Sequence, residues 1–353
     1  ESGSMPFASV HYPFENKQVF DKNYPAQFIA EGMDQTRGWF YSLINLGVGL
    51  FDKAPFEHVI VNGLVLASSG VKLSKSEKNY TDPMELVEKY GADAMRYALL
   101  SSPVVKGENL QFDDENISDV YKKCISRLEN VVTLYEMNKV EGVVPNVSSD
   151  DVLDIWMISR VHELVKNSTQ GYDNYLLDDA TRGIGEIIDD ISVWYTRRSR
   201  DRLKGGIEND NTRKAHETLT YTLLTLAKAM APVMPFIAER IYKQMGGLKE
   251  SVHLESWPQG GEINKEVIDS MKAVREVVSL GLMKRTAEKI NVKQPLLTIT
   301  FKKEIDSKYF ELIKDELNIK EVISNPSQEE EVVLDTTVTE ALKQEGDVRK
   351  LIR

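Results

Sequence analysis

The sequence predicts a multidomain chain: an α/β part first, an all-α helical bundle next, and a small α+β region last. Three observations carry this expectation. The first hundred residues alternate extended apolar runs with helically spaced ones, residues 151 to about 245 keep helical spacing almost without a break, and beyond residue 290 short β-branched runs return between helical stretches. At 353 residues, with 41% apolar and 28% charged residues, the chain is long enough for two or three domains with cores of their own.

Taken in order, YPAQFIAEG (Tyr24 to Gly32) reads as a strand, and DQTRGWFYSLINLGVGLF as a helix reached through a tight glycine turn. HVIVNGLVLA (His58 to Ala67), with β-branched Val59, Ile60, Val61 and Val65, reads as one buried parallel strand, so strand, helix and strand form a right-handed crossover. Asp82 is a good N-cap, Pro83 a good first helical residue and Gly91 a good stop for PMELVEKY, and ADAMRYALLSS gives a further helix. SPVVKGENLQF reads as irregular. Asp113 to Asn138 reads as a long helix with Ile117, Val120, Tyr121, Cys124, Leu128 and Val131 on one side. KVEGVVPNVSSDD, rich in Pro, Gly and Ser, reads as a linker.

In the bundle, Ile184, Ile187, Ile188, Ile191, Trp194 and Tyr195 share one helix face, as do Leu219, Leu223, Leu226 and Met230 on another. Pro232 and Pro235 predict a break. After Gly246 and Gly247 the order is a helix near Glu266 to Ile290, a strand LLTITF, a helix YFELIKDEL, strands IKEVIS and EEVVLD, and a last helix TEALKQEGDVRKLIR. The expected divisions are 1–138, a linker over 139–150, the bundle over 151–259, and a small α+β region over 260–353 whose last element is cut short.

The single cysteine, Cys124, leaves no internal disulfide framework and no multi-cysteine zinc site in this chain. It suits a reducing cytosol and reads as a small apolar residue on a helix. The net charge of −11 repels nucleic acid, so any RNA contact needs a local basic patch. No apolar run reaches the ~20 residues of a membrane span, and the start lacks a signal-peptide pattern. The sequence begins ESGSMPFASV, without a Met, and is read as a piece of a longer protein.

Three stretches concentrate chemistry. KLSKSEKNYTDP (Lys72 to Pro83) reads either as a solvated surface loop or as a mobile phosphate clamp. As a clamp, Lys72, Ser74, Lys75 and Ser76 offer ammonium groups and hydroxyls to a triphosphate whose charge grows as pyrophosphate leaves. No GxxxxGKS or GxxxxGKT pattern occurs, so a P-loop is not supported. IAEGMDQTRGWF (Ile29 to Phe40) sits where a strand passes into a helix, the ligand-binding end of open α/β sheets. There Glu31 can accept ribose hydroxyls, Gly32 admits an adenosine close to the backbone, Gln35 can contact an amino or carbonyl group, and Trp39 can wall an apolar pocket. The other reading makes Trp39 and Phe40 core residues and Asp34 the helix cap. WYTRRSRDRLK (Trp194 to Lys204) sets four arginines and a lysine against one aspartate, with Trp194, Arg197 and Arg200 spaced by three. Guanidinium planes grip phosphates and stack on unpaired bases. Complementing a negative helix C-terminus accounts for one or two such residues, not five.

In this order the motifs resemble the class I aminoacyl-tRNA synthetases, and among them the isoleucyl branch. KLSKS resembles the family's KMSKS loop, with Leu73 in place of Met, and EGMDQTRGWF resembles its adenylate-binding segment. SVWYTRRSRDR, LAKAMAPVMPFIAERIY and SVHLESWP resemble the anticodon-binding helices, ESGSMPFASVHYPF the resumption of the catalytic sheet after the editing insertion, and INVKQPL with the final helix the C-terminal region. The resemblance implies an α/β Rossmann-like catalytic half, an all-α helical-bundle anticodon-binding domain and a small α+β C-terminal domain. It implies that Glu31 and Gly32 hold the adenylate ribose, that Asp34 and Gln35 line the aminoacyl-adenylate site, with Gln35 helping to hold the amino group, and that Trp39 walls the isoleucine pocket. Lys75 contacts ATP phosphates, supported by Lys72, Ser74 and Ser76, while Arg197, Arg198 and Arg200 lie near the anticodon stem-loop.

The implied reaction joins isoleucine to tRNA(Ile) with ATP, accompanied by Mg2+ for which no protein ligand is named. The implied parent is a monomeric, cytoplasmic ligase without a membrane association. The family's HIGH motif does not occur in this sequence, and no editing domain is recognised, so the piece is expected to be inactive alone. Two other readings stay open: a non-catalytic tRNA-binding module, and a valyl-tRNA synthetase.

Overall fold

The computed structural model describes all residues except 74–76, 78, 205–208 and 352–353. The chain divides into two compact units. The first comprises Glu1–Lys139, Glu163–Trp194 and Thr220–Gly260, and the second Val140–His162, Tyr195–Leu219 and Gly261–Arg353.

In the first unit, strand β1 (Ala26–Gly32) leads through a 3-10 turn (Met33–Arg37) into helix α1 (Trp39–Phe51) and then into strand β2 (Phe56–Asn62). β1 and β2 are parallel, in register from Ala26 opposite Phe56 to Gly32 opposite Asn62. Ile29, Phe40 and Leu43 form the buried cluster beneath them, with Trp39, Phe56 and Val61 packed against it. β2 is parallel as expected but not buried on both faces: Ile60 is covered, whereas Val59 is 40% exposed. Among the described residues β1 and β2 pair only with each other, so β2 has no further strand beside it.

The expected single strand His58 to Ala67 is two strands. β3 (Val65–Ala67) leaves β2 and pairs in parallel with β4 (Leu110–Phe112), inside the stretch read as irregular. Gly63 makes the switch. A Cβ there would stand 1.8 Å from the Glu108 carbonyl oxygen, so only a glycine fits against that backbone.

Helix α2 (Pro83–Tyr90) is capped by the Asp82 side chain, which accepts from Met84 N at 2.8 Å, and stops at Gly91, whose φ of 84° favours glycine. Helix α3 (Ala92–Leu100) follows at once. The expected long helix after Asp113 is α4 (Asp114–Val120) and α5 (Arg127–Met137), joined by a π-helical segment, Tyr121–Ser126. Cys124 is buried there, and burial pushes its thiol up to about 11.

Residues 139–151 carry no helix or strand. Helices α6 (Val152–Asp173), α7 (Leu177–Asp189), α8 (Asp210–Met230) and α9 (Pro235–Gln244) follow. The isoleucine face of 184–191 and the leucine face of 219–230 are buried, and α8 and α9 part at Pro232 to Pro235.

The second unit ends in helix α10 (Lys265–Ala287), strand β5 (Leu296–Phe301), helix α11 (Phe310–Leu317), strands β6 (Ile319–Ser324) and β7 (Val332–Leu334), and helix α12 (Glu340–Leu351). β5 is central, parallel to β6 and antiparallel to β7. Buried Arg285 on α10 holds this region by donating to the carbonyls of Asn291, Gln294, Leu317 and Asn318.

Candidate functional site

The turn after β1 carries the first group of expected site residues. Glu31 is exposed beside Val61, and Gly32 ends the pairing opposite Asn62, so both lie at the carboxyl ends of the parallel strands. The Gln35 side-chain oxygen accepts from Trp39 N at 2.9 Å, while its amide nitrogen lies 3.3 Å from Asp34 Oδ2. The N-cap position is Gly38; the first helical amide is served by Gln35 and not by Asp34, whose carboxylate is exposed. Two glycines make room for these side chains: a Cβ on Gly32 would stand 2.7 Å from Asp34 Oδ1, and one on Gly38 2.6 Å from Gln35 Oε1. Trp39 is partly buried against Ile29, Phe40 and Leu43, and its ring nitrogen donates to the Ser2 carbonyl at 2.9 Å. Phe40 belongs to the core and Trp39 lies at its margin.

The lysine stretch starts as the chain doubles back on β3. Ala67 N donates to Val71 O at 2.8 Å, and Lys72 bridges to Leu66. The Lys72 side chain is exposed; Ser74, Lys75 and Ser76 lie outside the described residues. The far end of the stretch is tied down. Asn79 Nδ2 donates to the Lys72 carbonyl at 3.1 Å, Thr81 Oγ1 donates to Asp114 Oδ2 at 2.7 Å, and Asp82 caps α2. These bonds close the base of the loop with the short polar side chains of EKNYTDP. Sequence reasoning missed Asn79 and Thr81, although Asn, Thr and Asp ahead of a Pro are a turn signal.

The arginine stretch is a different case. Burial raises the proton affinity of the Glu316 carboxyl at the end of α11, and the guanidiniums of Arg198 and Arg197 oppose that rise. Arg197 pairs with Glu316; Arg198 Nε is 2.8 Å from Glu316 Oε1 and its Nη1 3.5 Å from Asp315. A carboxylate in the last turn of a helix opposes the helix dipole, so Glu316 depends on these cations. Arg202 grips fully buried Asp154 with both terminal nitrogens, at 3.0 and 2.6 Å. The Tyr195 hydroxyl, raised well above its usual range chiefly by burial, donates to Asp154 Oδ1 at 2.7 Å, the oxygen that also faces Arg202 Nη1. The density of arginine in this stretch is thus largely explained by carboxylates within the second unit. Arg197 is half exposed and Arg200 exposed, so these two keep a side facing solvent.

Among the described residues no group of three His, Cys, Asp or Glu side chains could hold a metal ion, and no helix is long and apolar enough to cross a membrane.

Comparison with known proteins places these segments. A model of the class I tRNA synthetases (I, L, M and V) matches residues 1–111, and a model of the anticodon-binding domain of tRNA ligase matches residues 154–301. The chain belongs to the class I aminoacyl-tRNA synthetases. Within that class its sequence is similar to isoleucine--tRNA ligases: 40% identical over 349 residues to that of Protochlamydia amoebophila, covering 95% of this chain and 34% of the relative. The isoleucine--tRNA ligase of Treponema denticola is 40% identical over 357 residues, covering 94% of this chain and 32% of the relative. The chain therefore spans about a third of the length of the curated relatives it matches. Two solved structures share the fold. The Agrobacterium radiobacter LeuRS, in a ternary complex with tRNA and LeuAMS, has a TM-score of 0.56 at 19% identity over 76% of this chain and 33% of its own. The Mycobacterium tuberculosis methionyl-tRNA synthetase, with methionyl-adenylate, has a TM-score of 0.53 at 23% identity over 66% of this chain and 47% of its own.

Proposed function

We propose that this chain is the part of an isoleucine--tRNA ligase that carries the adenylate-binding turn, the phosphate loop and the anticodon-binding helices. The observation behind the proposal is that Glu31, Gly32, Asp34 and Gln35 gather at the carboxyl ends of a parallel strand pair, with the lysine stretch leading off the neighbouring strand β3. The 1–138 part then serves as a Rossmann-like half of the catalytic domain, 151–259 as the anticodon-binding bundle, and 260–353 as a small α+β region.

In the first step the isoleucine carboxylate attacks the α-phosphorus of ATP, and the bond to pyrophosphate breaks. In the second, a terminal ribose hydroxyl of tRNA(Ile) attacks the adenylate carbonyl, and AMP leaves. No side chain acts as nucleophile; positioning and charge stabilisation do the work. Glu31 accepts the ribose hydroxyls. Because the Gln35 oxygen is engaged by the backbone of Trp39, the Asp34 carboxylate is the better acceptor for the isoleucine ammonium, with Gln35 orienting it. Trp39 walls the side-chain pocket. Lys75, with Lys72, Ser74 and Ser76, neutralises the leaving pyrophosphate, and Mg2+ arrives with ATP. Arg197 and Arg200 face the anticodon stem-loop, with Arg198 bracing Arg197 through Glu316. The buried lone thiol suits a cytoplasmic enzyme, which we take to be a monomer.

The test is isoleucine-dependent ATP–pyrophosphate exchange by the full-length parent. Lys75→Ala is expected to slow exchange about 100-fold, the usual loss of one transition-state charge contact. A parent that binds tRNA without exchange would be a non-catalytic module, and one that prefers valine would be a valyl enzyme.

A further inference from the structure

The break between α8 and α9 leaves backbone groups without helical partners: the carbonyls of Pro232 and Val233 in the connecting turn and the amides of Phe236 and Ile237 in the first turn of α9. Helix α3 serves both. Arg96 donates from Nε to Val233 O and from Nη2 to Pro232 O, each at 2.9 Å. Asp93 lies three residues earlier on the same face and accepts from Ile237 N at 2.7 Å and from Phe236 N at 3.4 Å. A cation at a helix C-terminus and an anion at an N-terminus are the favoured pairings with helix dipoles. Here the two come from a single helix.

The same helix has a third attachment. The Tyr97 hydroxyl accepts from Gly185 N at 2.9 Å and lies 3.2 Å from the Arg182 carbonyl, in the middle of α7. A Cβ at position 185 would stand 2.7 Å from that hydroxyl, so the helix is notched to admit it. Asp93 and Tyr97 are each only 6% exposed. Burial raises the Asp93 carboxyl, and the amides of Ile237 and Phe236 oppose the rise. A little further along, Lys106 Nζ lies 2.6 Å from buried Asp178 at the start of α7.

Apolar packing would hold α3 in place, but it would tolerate sliding. Bonds to backbone ends on two sides of one break do not, because they fix α3 to that point along the bundle. On its other side α3 joins α2 through Gly91 alone, and α2 begins at Pro83, where the lysine stretch ends. α8 runs unbroken over 21 residues, about 30 Å at 1.5 Å per residue, before it reaches the break.

We propose that Asp93, Arg96 and Tyr97 form a latch through which the helical bundle sets the position of the α2–Gly91–α3 corner, and with it the phosphate loop. Asp93 and Arg96 are then positioning residues for the step the phosphate loop serves, activation of isoleucine with ATP. This rests on the reading above that the 72–76 loop acts on ATP.

The test uses the full-length parent with Arg96→Ala, Arg96→Lys and Asp93→Asn. In Arg96→Ala, isoleucine-dependent exchange per folded molecule is expected to fall about tenfold in kcat while the KM for isoleucine stays within about twofold, a coupling of ordinary allosteric size. Arg96→Lys, which keeps one donor of two, should recover part of the loss. Hydrogen exchange provides a readout free of activity: in Arg96→Ala the amides of 83–90 should exchange faster together with those of 236–240. A merely structural role would lower exchange only in proportion to the folded fraction, and that result would overturn the latch. Unchanged protection over 83–90 would overturn it as well. If the unmodified parent shows no isoleucine-dependent exchange, the proposed function fails, and the hydrogen-exchange result alone decides the latch.

Discussion

The lysines after β3 and the arginines after residue 194 look alike as letters, both dense positive charge at the end of an element, yet the fold treats Lys72, the described lysine, and the arginines in opposite ways. Around the arginines it supplies buried carboxylates, Asp154 for Arg202 and Glu316 for Arg197 and Arg198. Around the lysines it supplies hydrogen bonds that close the loop's base, from Asn79 to Lys72 and from Thr81 to Asp114, and leaves the Lys72 side chain in solvent. The difference teaches that a basic run advertises a polyanion site only where the fold does not already answer it with acids.

Substitutions can break this contrast. Arg202→Ala strands the Asp154 carboxylate in the interior and is expected to cost about 3–5 kcal/mol in chemical denaturation. A loss below 1 kcal/mol would mean that the pair is not the lock described. Glu316→Ala should cost less, about 2–3 kcal/mol, because Arg197 is half exposed and can be solvated by water. Its companion effect is weaker tRNA binding through a disordered Arg197, which titration with an anticodon stem-loop would detect. Arg200→Ala is the opposite case: stability within about 0.5 kcal/mol of the unmodified protein, with tRNA affinity lowered by about 0.5–1 kcal/mol and a shallower salt dependence. Affinity and salt slope equal to those of the unmodified protein would remove Arg200 from the interface.

Much of the fold could be read from the sequence because local rules coincide with the tertiary result. Asp82, Pro83 and Gly91 bound α2 as their chemistry dictates, the isoleucine stripe of 184–191 is buried, and the two prolines separate α8 from α9. Three features were not legible: two depend on a partner distant in sequence, and one on the geometry of a turn. The apolar run at 58–67 splits because Glu108 stands against Gly63. Gln35 rather than Asp34 serves the first amide of α1 because the turn swings its side chain back to Trp39. The arginines lose much of their apparent availability to Glu316, which lies 119 residues from Arg197. The candidate turn at Glu31 to Gln35 was found as a place from its strand-to-helix setting, while the division of labour between Asp34 and Gln35 needed coordinates.

Gly63 has a consequence for where a charged loop is delivered. A side chain at that position could not coexist with the Glu108 backbone, and the path that brings Lys72 to bridge Leu66 of β3 would be lost. The absence of one methyl group works as a railway switch: it sends the chain onto a second track, and the destination of the lysines is decided before any lysine is reached.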